Sequence, residues 1–193
     1  MYKDVLLYKI LRPLIKGFTY IFFHPKIIGK NNIPKNGRLV IAGNHTNIFD
    51  CFVLISSTKR EIHFLAKSSL WKGLKKVIFS NLGLIPVNRD GKDSKALDSA
   101  INYLNNDLVI GIFPEGTTEK GSTELLPFKK GAVRMASITN TPIIPFAITG
   151  KYSLFSNNLT IKFGKPYYIN STDLNLENNI LKEKIENLKR GNK

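Results

Sequence analysis

Up to about residue 23, apolar residues recur along the chain at helical spacing. Val5-Leu6-Leu7, Ile10-Leu11, Leu14-Ile15, Phe18 and Tyr20-Ile21-Phe22-Phe23 carry the pattern, and Lys9, Arg12 and Lys16 interrupt it. Three- and four-residue steps with cations between them predict an amphipathic helix. Pro13 lies inside the pattern and predicts a kink or restart, because its ring crowds the preceding turn and it has no N–H to donate. Beyond the turn Pro34-Lys35-Asn36-Gly37, short apolar runs alternate with helical stretches. Strands are predicted at 38–42, 61–66, 84–87, 108–113, 142–148 and 159–163, with a further short run at 166–169. Helices are predicted at 49–56, 68–79, 93–105 and 128–139, and Ser171-Thr172-Asp173 is set to cap a last one. Strands alternating with helices imply an α/β fold: a single domain with a mostly parallel or mixed sheet flanked by helices, preceded by the N-terminal amphipathic helix.

Charge changes the reading of that first helix. Three cations within the apolar stretch oppose a membrane-spanning segment, and no small-residue cleavage site follows as in a signal peptide. A helix lying in the membrane interface fits better, with its apolar side in acyl chains and its cations at lipid phosphates. The alternative is an amphipathic helix packed on its own domain. The whole chain, at 193 residues, fits one domain, and 29 Lys+Arg against 14 Asp+Glu give a net charge of +15. Such a balance suits anionic partners: nucleic acid, an anionic membrane surface, a phosphorylated substrate or an acidic carrier protein. The single Cys51 excludes an internal disulfide framework and reads as a buried small hydrophobe. No Cys/His cluster has zinc spacing, so no metal site is expected.

The chemistry concentrates in Asn44-His45-Thr46-Asn47-Ile48-Phe49-Asp50, directly after the run Leu39-Val40-Ile41-Ala42. A histidine and an aspartate five residues apart do not share a helix face, so His45 belongs in the loop and Asp50 near the next helix N-terminus. A carboxylate that fixes the imidazole tautomer and stabilises its protonated form makes an oriented general base. Asn88-Arg89 and Pro114-Glu115-Gly116 also follow predicted strands, and functional loops in such sheets gather at the strands' carboxyl ends. Arg89 has the forked guanidinium that suits a phosphate monoester. Glu115 stands in a turn where its carboxylate can accept from a hydroxyl, and Gly116 permits close backbone approach. Lys129 and Lys130 stand at a predicted helix start, where backbone amides already favour anions. Each also has an ordinary alternative: an exposed arginine, a plain tight turn, a solvated lysine pair.

Taken together, these loops resemble the glycerolipid acyltransferase family, specifically the bacterial short 1-acyl-sn-glycerol-3-phosphate acyltransferases. The resemblance rests on four blocks in the family's order: residues 44–50, Gly83-Leu84-Ile85-Pro86-Val87-Asn88-Arg89, Phe113-Pro114-Glu115-Gly116-Thr117 and Thr141-Pro142-Ile143-Ile144-Pro145. It implies a membrane-docking segment at 1–30 and an acyltransferase catalytic domain at 31–193. It also implies His45 and Asp50 as the catalytic pair, with Arg89, Glu115, Gly116, Lys129 and Lys67 binding substrate. His24 and His63 match no block. Two positions depart from the family: Asn47 stands where serine is frequent, and Thr118 where arginine is, which removes a cation from the substrate pocket.

The activity so implied is acyl transfer from a thioester to the sn-2 hydroxyl of 1-acylglycerol 3-phosphate, giving phosphatidate. No cofactor is implied; acyl-CoA or acyl-acyl carrier protein is a co-substrate. The implied setting is the cytoplasmic face of the cell membrane, held peripherally or monotopically on an anionic surface. Two other readings stay open: a related enzyme using glycerol 3-phosphate or another lysophospholipid, and a non-catalytic basic module. The lysines are dispersed and no RNP, zinc-finger or helix-turn-helix signature is present, which argues against nucleic acid. A hydrolase would need a Gly-x-Ser-x-Gly elbow, which the sequence lacks.

Overall fold

The computed structural model describes residues 5–87, 94–118 and 124–191. The chain opens with α1 (Leu6–Phe23), β1 (Lys26–Ile28), β2 (Leu39–Gly43), α2 (Asp50–Ser57) and β3 (Ile62–Lys67). It continues through α3 (Leu74–Asn81), β4 (Ile85–Val87), α4 (Ser94–Asn105), β5 (Val109–Ile112) and α5 (Gly131–Thr139), then β6 (Ile143–Thr149), β7 (Thr160–Phe163) and α6 (Leu174–Arg190). The strands form one mixed sheet in the order β1-β7-β6-β2-β5-β3-β4. β6, β2, β5, β3 and β4 run parallel, β7 runs antiparallel to β6, and β1 lies parallel to β7 at the edge.

The central strands are buried on both faces, which explains their unbroken apolar runs. In β2, Leu39 and Ile41 point into one core while Val40 and Ala42 point into the other. The first core is covered by α1 and α2, the second by α4, α5 and α6. This layering positions the site. From β2 the chain crosses to β3 through α2 on one face; from β5 it crosses back to β6 through α5 on the other. The loops after β2 and β5 therefore diverge to opposite sides of neighbouring strands, which is where an open α/β sheet forms a crevice.

α1 is both packed and exposed. Val5, Tyr8, Thr19 and Phe23 are buried. The Tyr8 hydroxyl accepts from the Ile62 amide at 3.2 Å, and the Arg12 guanidinium donates to the Thr58 carbonyl at 2.5 Å. Yet Leu6, Ile10, Leu14 and Ile21 form an outward stripe, each more than half exposed. The packed-helix alternative thus describes one side of α1 and leaves the other apolar side free. Pro13 does not end the helix; packing on both sides of it holds the backbone through one missing donor.

Other elements differ from the sequence pattern. The predicted 68–79 helix is a 3₁₀ turn at Ser68–Leu70 followed by α3, divided at Gly73 with φ +54°. The helix predicted from residue 128 begins at Gly131. The run at 166–169 forms only an isolated bridge, Tyr167 to Ile143. β1 went unforeseen, because its exposed–intermediate–exposed edge pattern carries no apolar run. Asp173 caps α6 as expected, accepting from the Asn175 and Leu176 amides.

Candidate active site

β2 delivers Asn44 and His45 to the crevice. Asn44 is fully buried and pairs with the backbone of β6 like a strand residue: its side-chain amide donates to the Ile148 carbonyl at 2.9 Å, and its carbonyl accepts from the Ile148 amide at 2.7 Å. The chain direction into His45 is thereby fixed. Asp50 opens α2 with no exposed surface. Its Oδ2 accepts from His45 Nδ1 at 2.9 Å and from the Thr46 and Asn47 amides at 2.6 and 2.8 Å. A carboxylate can only accept, so the His45 proton sits on Nδ1 and Nε2 is left as the basic nitrogen. The imidazole also stacks on Phe113, with centroids 4.2 Å apart and planes at 18°. The two residues expected from the sequence to form the catalytic pair therefore meet, with His45 oriented by hydrogen bond and by stacking.

Glu115 takes a task that its turn position alone does not reveal. It is buried, and its Oε1 accepts from the His45 backbone amide at 2.8 Å while Oε2 accepts from the Leu126 amide at 2.9 Å. One carboxylate thus ties the loop after β2 to the loop after β5 and to the approach to α5. Gly116 follows with φ +69°, and a side chain added there would stand 3.0 Å from Lys129 Cε. The Lys129 side chain lies across that bare backbone, anchored by its own amide donating to Pro114 at 2.8 Å.

A cavity of about 750 Å³ opens at this point. His45, Phe113, Gly116, Lys67 and Lys129 border it, and so do residues from both ends of β3, from Ile62 to Lys67. Its remaining walls are mainly apolar side chains of α1, α2 and α3 with Ala96 and Leu97. Six strand residues advance roughly 16 Å, so the cavity is elongated along β3. Cys51 is part of the wall, and its thiol is pushed up to about 12 by burial and then by the Asp50 charge, which suits an inert apolar neighbour. Arg89 lies outside the described residues; the strand before it, β4, ends at Val87 on the cavity wall.

Three further positions resolve. Asn47, where serine is frequent in the family, accepts the Phe49 amide at 3.1 Å and so shapes the loop. His24 ends α1 in a left-handed conformation, and buried His63 bonds the Gly83 carbonyl at 3.0 Å, both away from the crevice chemistry. Tyr152, whose hydroxyl donates to Asp50 Oδ1 at 2.5 Å, was not foreseen. No local motif marks a residue 102 positions away that reaches the site only through the fold. Among the described residues no His/Cys/Asp/Glu group is arranged to hold a metal ion.

An oriented histidine thus stands on an apolar cavity that Lys67 and Lys129 also border. The Acyltransferase family model matches residues 24–149, which include the crevice loops, and the chain belongs to that family. A 1-acyl-sn-glycerol-3-phosphate acyltransferase of Borreliella burgdorferi is 34% identical over 146 residues, covering 74% of this chain and 58% of that protein. Its counterpart in Bacillus subtilis is 30% identical over 151 residues, covering 76% of this chain and 73% of the relative. The chain thus spans little more than half of the first relative and about three quarters of the second. The crystal structure of a 1-acyl-sn-glycerophosphate acyltransferase from Thermotoga maritima shares the fold, with a TM-score of 0.70 at 22% identity over 97% of this chain and 83% of that one.

Proposed function

We propose that the chain transfers an acyl group from a thioester directly to the sn-2 hydroxyl of 1-acylglycerol 3-phosphate. The observation that carries this reading is the His45–Asp50 pair, with His45 lining a large, mainly apolar cavity that Lys67 and Lys129 also border. His45 Nε2 removes the hydroxyl proton as the oxygen attacks the thioester carbonyl carbon. The tetrahedral intermediate collapses with loss of the C–S bond, and the imidazolium returns its proton to the departing thiolate. Among the described residues no serine hydroxyl bonds the His45 ring, and the raised Cys51 thiol is a poor nucleophile, so the transfer needs no acyl-enzyme. The cavity takes an acyl chain, and closing both substrates over one base supplies proximity as a large part of the catalysis.

Arg89, Lys129 and Lys67 form the phosphate set, and the start of α5 at Gly131 adds a positive helix end beside the cavity. Glu115 and Gly116 shape the floor on which the glycerol sits. The substrates are lipids, and the exposed stripe Leu6, Ile10, Leu14 and Ile21 gives α1 a surface for the membrane interface at an anionic cytoplasmic leaflet. Among the described residues no helix is long and apolar enough to cross a membrane. The donor is acyl-CoA or acyl-acyl carrier protein, and no cofactor is needed.

The test incubates purified protein with lysophosphatidate and each thioester donor and looks for phosphatidate. Glycerol 3-phosphate and neutral lysophospholipids serve as competing acceptors. Phosphatidate formed from lysophosphatidate in preference to these is the expected result. Transfer to glycerol 3-phosphate alone would replace the acceptor, and none to any acceptor would remove the reading.

A further inference from the structure

Asp50 is held from two directions, and they are chemically unequal. Four of its hydrogen bonds come from residues 45–47: His45 Nδ1, the Thr46 and Asn47 amides, and the Thr46 hydroxyl at 3.1 Å. Three of those converge on Oδ2. The fourth, from the Thr46 hydroxyl, falls on Oδ1, so the local segment supplies that oxygen with a single donor, a hydroxyl with its own rotatable torsion. Among the described residues, Tyr152 is the donor that reaches Oδ1 from outside that segment, at 2.5 Å. We propose that Tyr152 is a positioning residue for the catalytic pair, tying Asp50 Oδ1 to a part of the fold outside the 45–47 segment so that the carboxylate holds the His45 ring in its working orientation. The proposal rests on the reading of His45 as the base.

The surroundings suit that task. The Tyr152 ring stands edge-on to Phe23, with centroids 5.2 Å apart and planes at 86°, and it lies near Phe49. A rigid aromatic arm therefore carries the hydroxyl. Burial, followed by the Asp50 charge and their hydrogen bond, pushes the phenol far above its ordinary ionisation range, so it remains a donor throughout the working pH range. The loop that bears it is anchored at both sides. Gly150, with φ +95°, passes so close to the Asn158 carbonyl that no side chain fits. The Phe155 amide donates to the Phe22 carbonyl at the end of α1 at 2.7 Å. The end of β6 thus supports the 44–50 segment twice, through Ile148 on Asn44 and through Tyr152 on Asp50.

The experiment compares wild type, Tyr152→Phe, Asp50→Asn, the double variant and His45→Ala, using radiolabelled acyl donor so that residual turnover is measured. Thermal melts establish that each variant is folded. Tyr152→Phe is expected to lower kcat about 10- to 100-fold, the span of one hydrogen bond to a charged group, while KM for both substrates stays within about two-fold. In the Asp50→Asn background the same change is expected to cost less than about two-fold, because the two residues act as one unit. A role confined to packing would lower the melting temperature and leave this kinetic coupling absent. Unchanged kcat in Tyr152→Phe, or an equal loss with and without Asp50, overturns the proposal. Near-normal turnover in His45→Ala would remove the base, and the positioning role with it. Loss in His45→Ala with unaffected Tyr152→Phe would remove the tyrosine's role alone.

Discussion

Replacing Glu115 by glutamine changes one oxygen to an amide nitrogen and leaves shape almost unaltered. In the native site both carboxylate oxygens accept buried backbone amides, from His45 at 2.8 Å and from Leu126 at 2.9 Å. A glutamine side chain has a single acceptor oxygen, so its NH₂ must face one of those two N–H groups. One charge-assisted hydrogen bond is lost and one buried donor is left unpaired, a cost of about 1.5–3 kcal/mol. For a domain of this size that corresponds to a fall in melting temperature of roughly 4–10 °C. Activity should fall further than stability, because the amide at risk belongs to His45 and small misplacements of a base are expensive. The expected kinetics are a kcat at least about ten-fold lower, with acceptor KM within about three-fold of wild type. Circular dichroism melts and steady-state transfer assays on one preparation measure both. An unchanged melting temperature with raised acceptor KM and normal kcat would show that Glu115 meets the substrate and does not clamp the loops.

Three other perturbations follow from particular contacts. Gly116→Ala forces a side chain into a left-handed backbone and against Lys129, so acceptor KM should rise about five- to ten-fold, roughly 1 kcal/mol; an unchanged KM would remove Lys129 from the acceptor site. Leu14→Glu with Ile21→Glu alters only the outward stripe of α1, so the melt should be preserved while sedimentation with anionic vesicles falls. Undiminished vesicle binding would place the lipid contact elsewhere, and this pair is a cleaner probe than deleting residues 1–23, which also carry buried Tyr8, Thr19 and Phe23. Finally, burial holds the folded pKa of His63 below its ordinary 6.5, against the opposing hydrogen bond with Gly83. The unfolded chain therefore takes up a proton first as pH falls. The His63 contribution to stability should be fully present above about pH 6.5 and lost below it, as pH descends towards the folded-state value. Melts of wild type and His63→Gln between pH 7.5 and pH 5 should converge at the acid end, and parallel curves would contradict the argument.

The fold was legible wherever burial on both faces wrote a continuous apolar run, as in β2 and β6, or where one-sided packing wrote a helical period, as in α4. It was illegible where neither applied. β1 is an exposed edge of three residues, and the break before α3 depends on one glycine's left-handed backbone. The site divides in the same way. His45 and Asp50 stand at the two ends of one short loop, so their spacing pointed to them. Lys67, Gly116 and Lys129 were drawn together by the loops they follow. Tyr152 and the clamp made by Glu115 were hidden, because both depend on contacts across 102 and 70 positions of chain. α1 showed why a pattern with apolar residues on nearly every side gave two readings: it buries one side and exposes the other.

The most direct test of the central claim is phosphatidate formation by His45→Ala. With lysophosphatidate and a thioester donor, wild-type protein should give phosphatidate, and the folded variant should lose at least about a thousand-fold in kcat while keeping its melting temperature. Phosphatidate formed by His45→Ala at near wild-type rate would contradict the assignment of His45 as the base.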